Sequence, residues 1–180
     1  MTKTSKKRSQ DYTKNIGQIP GTLIYTGKKS DKDFHVECFD YTKDNIEESE
    51  LLNIDDAINY KLSDSVTWIN VSGLKYTDEI EKIGKQYDIH PLVLEDIVNT
   101  TQRPKIDEYD GYIFVVLKML YYDKNQNIVI EQVSFVLGKN YVITFQESEG
   151  DVFDIIRDRL RLANGRIRGL KSDYLMYALI

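Results

Sequence analysis

Runs of apolar and polar residues alternate along this chain with periods that change from strand-like to helix-like and back. Thr22-Leu23-Ile24-Tyr25, closed by Gly27, predicts a first strand. His35-Val36-Glu37-Cys38-Phe39 alternates polar and apolar residues as a half-buried strand does. Lys43 to Asn59 carries Glu47, Glu48, Glu50, Asp55 and Asp56 and reads as an acidic helix with a solvated face. Val66 to Val71 predicts a third strand around the only tryptophan, Trp68. Thr77 is placed to cap a helix whose first turn bears Asp78 and Glu79, both favourable at the positive end of the dipole. Ile80, Ile83 and Tyr87 recur at i, i+3 and i+7 and give that helix one buried stripe. Pro91 suits a first helical position, so a second short helix runs from there through Val98.

The next stretch reads as sheet. Tyr112 to Tyr122, Val129 to Leu137 and Tyr141 to Gln146 are rich in β-branched and aromatic residues. Asp123-Lys124-Asn125 and Gly138-Lys139-Asn140 punctuate them as hairpin turns, which predicts an antiparallel meander. After Gly150, Asp151 is expected to cap a helix carrying Val152, Ile155, Ile156, Leu160 and Ala163 on one face, with Gly165 at its C′ position. Ser172 reads as the N-cap of a last, strongly apolar helix that runs to Ile180. A chain that stops inside an apolar helix exposes its frayed end, so we expect a truncated chain.

Composition narrows the function classes. At 180 residues, 41% hydrophobic and 29% charged, the chain has the balance of a globular domain with a real core. Cys38 is the only cysteine, which excludes an intrachain disulfide and a cysteine-based zinc site; two histidines, His35 and His90, exclude a histidine-rich cluster. The net charge of −5 argues against wholesale attraction to nucleic acid. Met1 to Gln10 is polar and basic, with Lys3, Lys6, Lys7 and Arg8, and no apolar stretch follows it as a secretory signal requires. Residues 1–18 therefore read as a flexible basic arm and 19–180 as the folded unit. No run of about 18 apolar residues occurs, as a membrane-spanning helix requires.

Candidate chemistry is sparse. There is no glycine-rich phosphate loop, no nucleophile elbow and no dinucleotide fingerprint, so the chain reads as a non-enzyme. Cys38 lies within a predicted strand and reads as a small core residue, and His90 reads as structural. Arg157, Arg159, Arg161, Arg166, Arg168 and Lys171 form a basic run. Asp151, Asp154 and Asp158 interleave with it, and cations are favourable at a helix C-terminus, so it reads as a solvated face. Glu95 and Asp96 remain. Neighbouring helical residues point about 100° apart, so this pair suits two partners across an interface better than one shared ion. Mg²⁺ prefers oxygen ligands and keeps several waters, so one or two carboxylates per site suffice. By spacing alone the pair reads first as an exposed acidic face.

The surrounding residues add a resemblance. His90-Pro91-Leu92-Val93-Leu94-Glu95-Asp96-Ile97, followed by Gln102-Arg103-Pro104-Lys105, resembles the central signature of the CorA cytoplasmic domain. Pro20-Gly21-Thr22-Leu23, Trp68-Ile69-Asn70-Val71, Glu131-Gln132-Val133-Ser134, Gly150-Asp151-Val152-Phe153 and Asp173-Tyr174-Leu175 extend the likeness in the family's order. The resemblance implies an α/β (α+β) domain with a mostly antiparallel sheet sandwiched between helix layers. It implies a homopentamer at the cytoplasmic face of the inner membrane, attached through a stalk and C-terminal membrane helices that are missing here. Mg²⁺ or Co²⁺ is then both the transported ion and a regulatory ligand, bound by Glu95 and Asp96 with acids of a neighbouring copy. A zinc or cobalt transporter on the same scaffold and a freestanding acidic interaction module are the alternatives. Nucleic acid is not an expected partner.

Overall fold

The computed structural model describes residues 19–27, 33–51, 54–61, 63–122, 125–147 and 152–180. Strands β1 (His35–Tyr41) and β2 (Ile46–Glu50) form a hairpin, followed by a 3-10 turn (Ile54–Ala57) and one turn of helix, α1 (Ile58–Lys61). Then come β3 (Val66–Ser72), α2 (Thr77–Gln86), α3 (Pro91–Val98), β4 (Lys105–Tyr109), β5 (Tyr112–Tyr122), β6 (Ile128–Gly138) and β7 (Tyr141–Gln146). Helix α4 (Asp154–Arg161), a 3-10 turn (Ile167–Gly169) and α5 (Ser172–Leu179) complete the chain. No helix among the described residues is long and apolar enough to cross a membrane.

The strands form one seven-stranded sheet in the order β2-β1-β3-β7-β6-β5-β4. The meander from β4 to β7 is antiparallel throughout, as the hairpin spacing predicts. The β1 pairings are antiparallel too, and only β3 and β7 run parallel. A parallel neighbour needs a long crossover, and α2, α3 and β4–β6 supply it.

Period-two alternation gives the sheet two apolar faces, and each is covered by helices. Val36, Cys38, Ile69, Val71, Ile143 and Phe145 pack with the buried stripes of α2 and α3. Phe39, Trp68, Phe135 and Val142 pack with Ile156 and Leu160 of α4 and Leu175 of α5. The expected sandwich of one sheet between helix layers is the observed architecture. At the centre of the second face Trp68 Nε1 donates to Thr144 Oγ1 (2.9 Å), which donates to Asn70 Oδ1 (2.7 Å). Arg157 pairs with Glu37 and lies over the Trp68 ring, which adds an ion pair to the same layer.

Several local expectations differ from the structure. Residues 22–25 form no strand: Thr26 N donates to Val98 O (3.2 Å), so the segment follows α3 instead of joining the sheet. The acidic stretch from Lys43 holds an edge strand, β2, because pairing with β1 and packing of Ile46 on the second core outweigh helix propensity. Thr77 is the first helical residue rather than the cap, and Lys171 takes the N-cap position assigned to Ser172. The Ser172 hydroxyl instead meets the carbonyls of Gly138 and Lys139, both at 2.9 Å. Val152 and Ile155 are exposed, and only Ile156, Arg157 and Leu160 of α4 are buried. Helix α4 ends at Arg161, and Ala163 adopts a left-handed φ of 53° ahead of Gly165. The basic arm and the Asp151 cap lie outside the described residues.

Candidate functional site

Helix α3 carries both candidate carboxylates, and the sequence around it fixes both of its ends. Pro91 opens the helix without needing a partner for a backbone N–H, and His90 Nδ1 accepts from Leu92 N (3.2 Å). The His90 ring stacks on Tyr109 at 6.0 Å, and Tyr109 stacks on Tyr112 at 5.0 Å. Tyr112 Oη accepts from His90 N (3.0 Å), so β4 and β5 hold the start of the helix. His90 is thus the structural residue that the sequence suggests.

The far end is held from the sheet. Gln132 Nε2 on β6 donates to the carbonyls of Asp96 (3.2 Å) and Asn99 (3.1 Å). Lys118 Nζ on β5 donates to Thr100 O (3.0 Å) and Gln132 Oε1 (3.1 Å), which brings a cation to the negative end of the helix. Burial lowers the Lys118 pKa against the opposing pull of Glu147. Thr26 Oγ1 donates to Asn99 Oδ1 (3.1 Å), tying the N-terminal segment to the same corner.

Between these anchors Glu95 and Asp96 diverge. Glu95 Oε2 accepts from Gly21 N at 2.7 Å. That contact needs a glycine at position 21: its φ is +86°, and a Cβ would stand 3.1 Å from Pro91 Cβ. Asp96 turns the other way. Its Oδ1 accepts from Gln102 Nε2 (2.5 Å), and its Oδ2 lies 2.7 Å from Lys105 Nζ. Lys105 also reaches Asp107 Oδ2 at 2.7 Å, so one ammonium bridges two carboxylates. Burial works to lower the Lys105 pKa, but the hydrogen bonds to Asp107 and Asp96 outweigh it and hold it raised. Both acids are only partly buried, and Asp96 keeps 20% of its side chain exposed.

Among the described residues no group of three or more His, Cys, Asp or Glu side chains stands ready to hold a metal ion. A cation at Glu95 or Asp96 therefore needs ligands from water or from another chain. Sequence reasoning did not assign Lys105, Gln102, Gln132 or Lys118 a role. Three of them lie inside the quoted tetrapeptides, and Lys105 opens β4, whose polar, apolar, polar, polar, apolar order carries no clear strand period. The basic run is not wholly the solvated face expected of it, since Arg157 is buried, paired with Glu37 and set over the Trp68 ring. Arg161 pairs with Glu48 and Asp158, and Arg168 donates to the carbonyls of Leu160 and Arg161 at the end of α4.

Comparison with known proteins identifies relatives of this chain. The family model described as CorA-like Mg2+ transporter protein matches residues 63–180. The cobalt/magnesium transport protein CorA of Thermotoga maritima is 46% identical over 165 residues, 91% of this chain and 47% of that protein. The chain thus spans about half the length of that relative. Among solved structures, the full-length CmaX protein superposes with a TM-score of 0.64 at 11% identity, over 84% of this chain and 46% of that one. The soluble domain of CorA from Methanocaldococcus jannaschii gives a TM-score of 0.51 at 15% identity, over 80% of this chain and 53% of that one. At such identities the structures speak to the fold, and the family follows from the sequence matches. The chain belongs to the family of CorA-like Mg²⁺ transporter proteins.

Proposed function

We propose that this chain is the cytoplasmic metal-sensing part of a divalent-cation channel for Mg²⁺ or Co²⁺, working at the inner face of the cell membrane as a homopentamer. In this reading residues 19–180 form the regulatory domain, and Glu95 and Asp96 are its half of cation sites completed by acids of a neighbouring copy. One observation carries the reading: the two carboxylates diverge on α3 and rest on different partners, Gly21 and the Gln102–Lys105 pair. Acids so placed serve two contacts outside the chain better than one chelate within it.

The energetics of such a sensor are favourable. Two like charges about 4 Å apart at an effective dielectric near 20 repel by about 4 kcal/mol, which a shared cation removes. If each of about five interfaces binds metal about tenfold better in the closed state, the bias totals ~7 kcal/mol, beyond the ~5.5 kcal/mol that carries a two-state equilibrium from 1:99 to 99:1. Metal would hold the ring closed, and its loss would release it.

The test is Mg²⁺ flux into cells expressing the full reading frame, with internal Mg²⁺ varied. Asp96→Ala is expected to weaken inhibition by internal Mg²⁺ while leaving the protein assembled. Inhibition that survives unchanged in Asp96→Ala and Glu95→Ala would refute the assignment of these residues.

A further inference from the structure

The stretch between α4 and α5 joins a firmly closed helix end to one unprotected peptide unit. With Leu162 as the C-cap of α4, Ala163 N donates to Leu160 O (3.3 Å) and Asn164 N to Arg159 O (3.0 Å). These are the paired bonds of a Schellman ending, with alanine at the left-handed position that glycine usually takes. The 3-10 turn that follows, Ile167–Gly169, is anchored twice. Ile167 is fully buried in the second core, and the Arg168 guanidinium donates to the carbonyls of Leu160 and Arg161. Only Gly165 and Arg166, both exposed, separate the helix cap from that turn.

Asn164 stands at the edge of this gap. Of the chain's asparagines it is the only one followed by glycine. It is exposed, and neither its side-chain amide nor the Gly165 N–H has a hydrogen-bond partner among the described residues. Nothing lies within 4 Å of the place a Cβ would take on Gly165, so the Gly165 nitrogen is open to its neighbour. Other asparagines differ. Asn140 Nδ2 donates to Ser63 O (2.6 Å), Asn99 Oδ1 accepts from Thr101 Oγ1 (2.7 Å), and the exposed Asn45 precedes the branched Ile46. A free side-chain amide beside an unhindered backbone nitrogen is the arrangement in which asparagine is chemically labile.

We propose that Asn164 is a site of spontaneous deamidation, and that its isoaspartyl product releases the turn of Ile167 and Arg168 from the end of α4. The Gly165 nitrogen attacks Asn164 Cγ. A C–N bond forms, the bond from Cγ to the side-chain nitrogen breaks, and that nitrogen leaves as ammonia with the proton that Gly165 gives up. Water then opens the cyclic imide at either carbonyl. One opening leaves aspartate on an unaltered main chain. The other routes the main chain through Cβ and Cγ and lengthens it by one carbon. The Schellman bonds lie before this link, so α4 keeps its ending. The turn lies after it, and its burial and its arginine clamp leave only Gly165 and Arg166 to take up the added length. This site is independent of the carboxylates of α3 and of the reading proposed for them.

The experiment ages the folded chain in mildly alkaline buffer and follows each asparagine by peptide mapping and mass spectrometry, with protein isoaspartyl methyltransferase marking isoaspartate. Conversion is expected at Asn164, with isoaspartate among its products, and to outrun conversion at Asn45 by about tenfold or more, the factor that about 1.4 kcal/mol of barrier gives. Asn164→Gln, which keeps the backbone donor to Arg159, should remove the signal. The structural half is read by trypsin cleavage after Arg168, a bond the clamp protects in the parent. The isoaspartyl fraction should be cut roughly fivefold faster or more, because cleavage follows the population of the opened turn. Asn164→Asp carries the same charge on a normal main chain and should be cut as slowly as the parent. Conversion at Asn164 no faster than at Asn45 would overturn the assignment of the site. An isoaspartyl fraction cut no faster than Asn164→Asp would overturn the release of the turn.

Discussion

Lys105→Met isolates the role of the ammonium that bridges Asp96 and Asp107. Each carboxylate oxygen lies 2.7 Å from Nζ, which puts the two oxygens no more than about 5.4 Å apart. Removing the charge leaves two facing carboxylates whose repulsion at that distance is about 3 kcal/mol for an effective dielectric near 20. Asp96 and Asp107 keep 20% and 39% of their side chains exposed, and solvent screening brings the expected loss of stability to about 1–2 kcal/mol. The hydrogen bond from Gln102 still fixes Asp96, so the pair remains poised to accept a cation. Mg²⁺ should therefore restore most of the loss in the variant, and it should stabilise the parent much less, because there it must displace the lysine. Urea denaturation followed by the fluorescence of Trp68, the only tryptophan, reads both effects. It is run with chelator and with about 10 mM Mg²⁺, against KCl of matched ionic strength. Equal stability of variant and parent in chelator would show that the bridge holds nothing together. A variant that Mg²⁺ fails to stabilise beyond KCl would refute the idea that the ammonium occupies a cation position.

Two further outcomes follow from packing and burial. Gly84→Ala should destabilise the domain by about 1–2 kcal/mol in the same denaturation assay, although alanine is the better helix former by about 1 kcal/mol. Its Cβ would collide with the buried Leu94 side chain where α2 packs on α3, so Leu94→Val in the same chain should recover part of the loss. Burial, reinforced by Asp40, pushes the Cys38 thiol from its ordinary 9.0 to about 12, and burial does the same to the Tyr141 phenol. Both acids stay neutral in the folded state while the unfolded chain ionises, so stability is retained below pH 9 and lost between about pH 9 and 12. A urea midpoint that falls above pH 9, together with a thiol that reacts with Ellman's reagent only on unfolding, is the expected result; a flat midpoint through that window would contradict it.

Much of the fold was legible because burial enforces period. The strands from Tyr112 to Gln146 alternate between two covered faces, and their turns carry the residues that turns require. The stripe of Ile80, Ile83 and Tyr87 likewise lands on the core. What escaped reading depended on partners distant in sequence. β2 is a strand of mostly acidic residues at a sheet edge, held by β1 and by Arg161 on Glu48, and nothing local announces it. Residues 22–25 look like a strand because Leu23 and Tyr25 are apolar, yet they pack against the first core along α3 without a ladder. Ser172 looks like a cap but spends its hydroxyl on the β6–β7 turn.

The candidate site shows the same division, and its parts explain the spacing of the motifs. Glu95 and Asp96 were readable as a diverging pair from helix geometry alone. Their supports were not, because each comes from another tetrapeptide: Gly21 meets Glu95, Gln102 and Lys105 meet Asp96, and Gln132 closes the helix end. On the opposite face Trp68 packs edge-on against Phe153, joining two more of the quoted stretches. Segments far apart along the chain thus converge on two places, the frame around α3 and the core beneath α4. A frame that fixes both ends of a short helix by hydrogen bonds leaves its two acids little freedom except at their carboxylates. Such rigidity is useful to a protein that must present acids to something outside itself, since an acid on a mobile loop would lose conformational entropy on each binding event. The lysine bridge supplies the resting counter-charge, and under the function proposed above a divalent cation would have to displace that ammonium to reach Asp96.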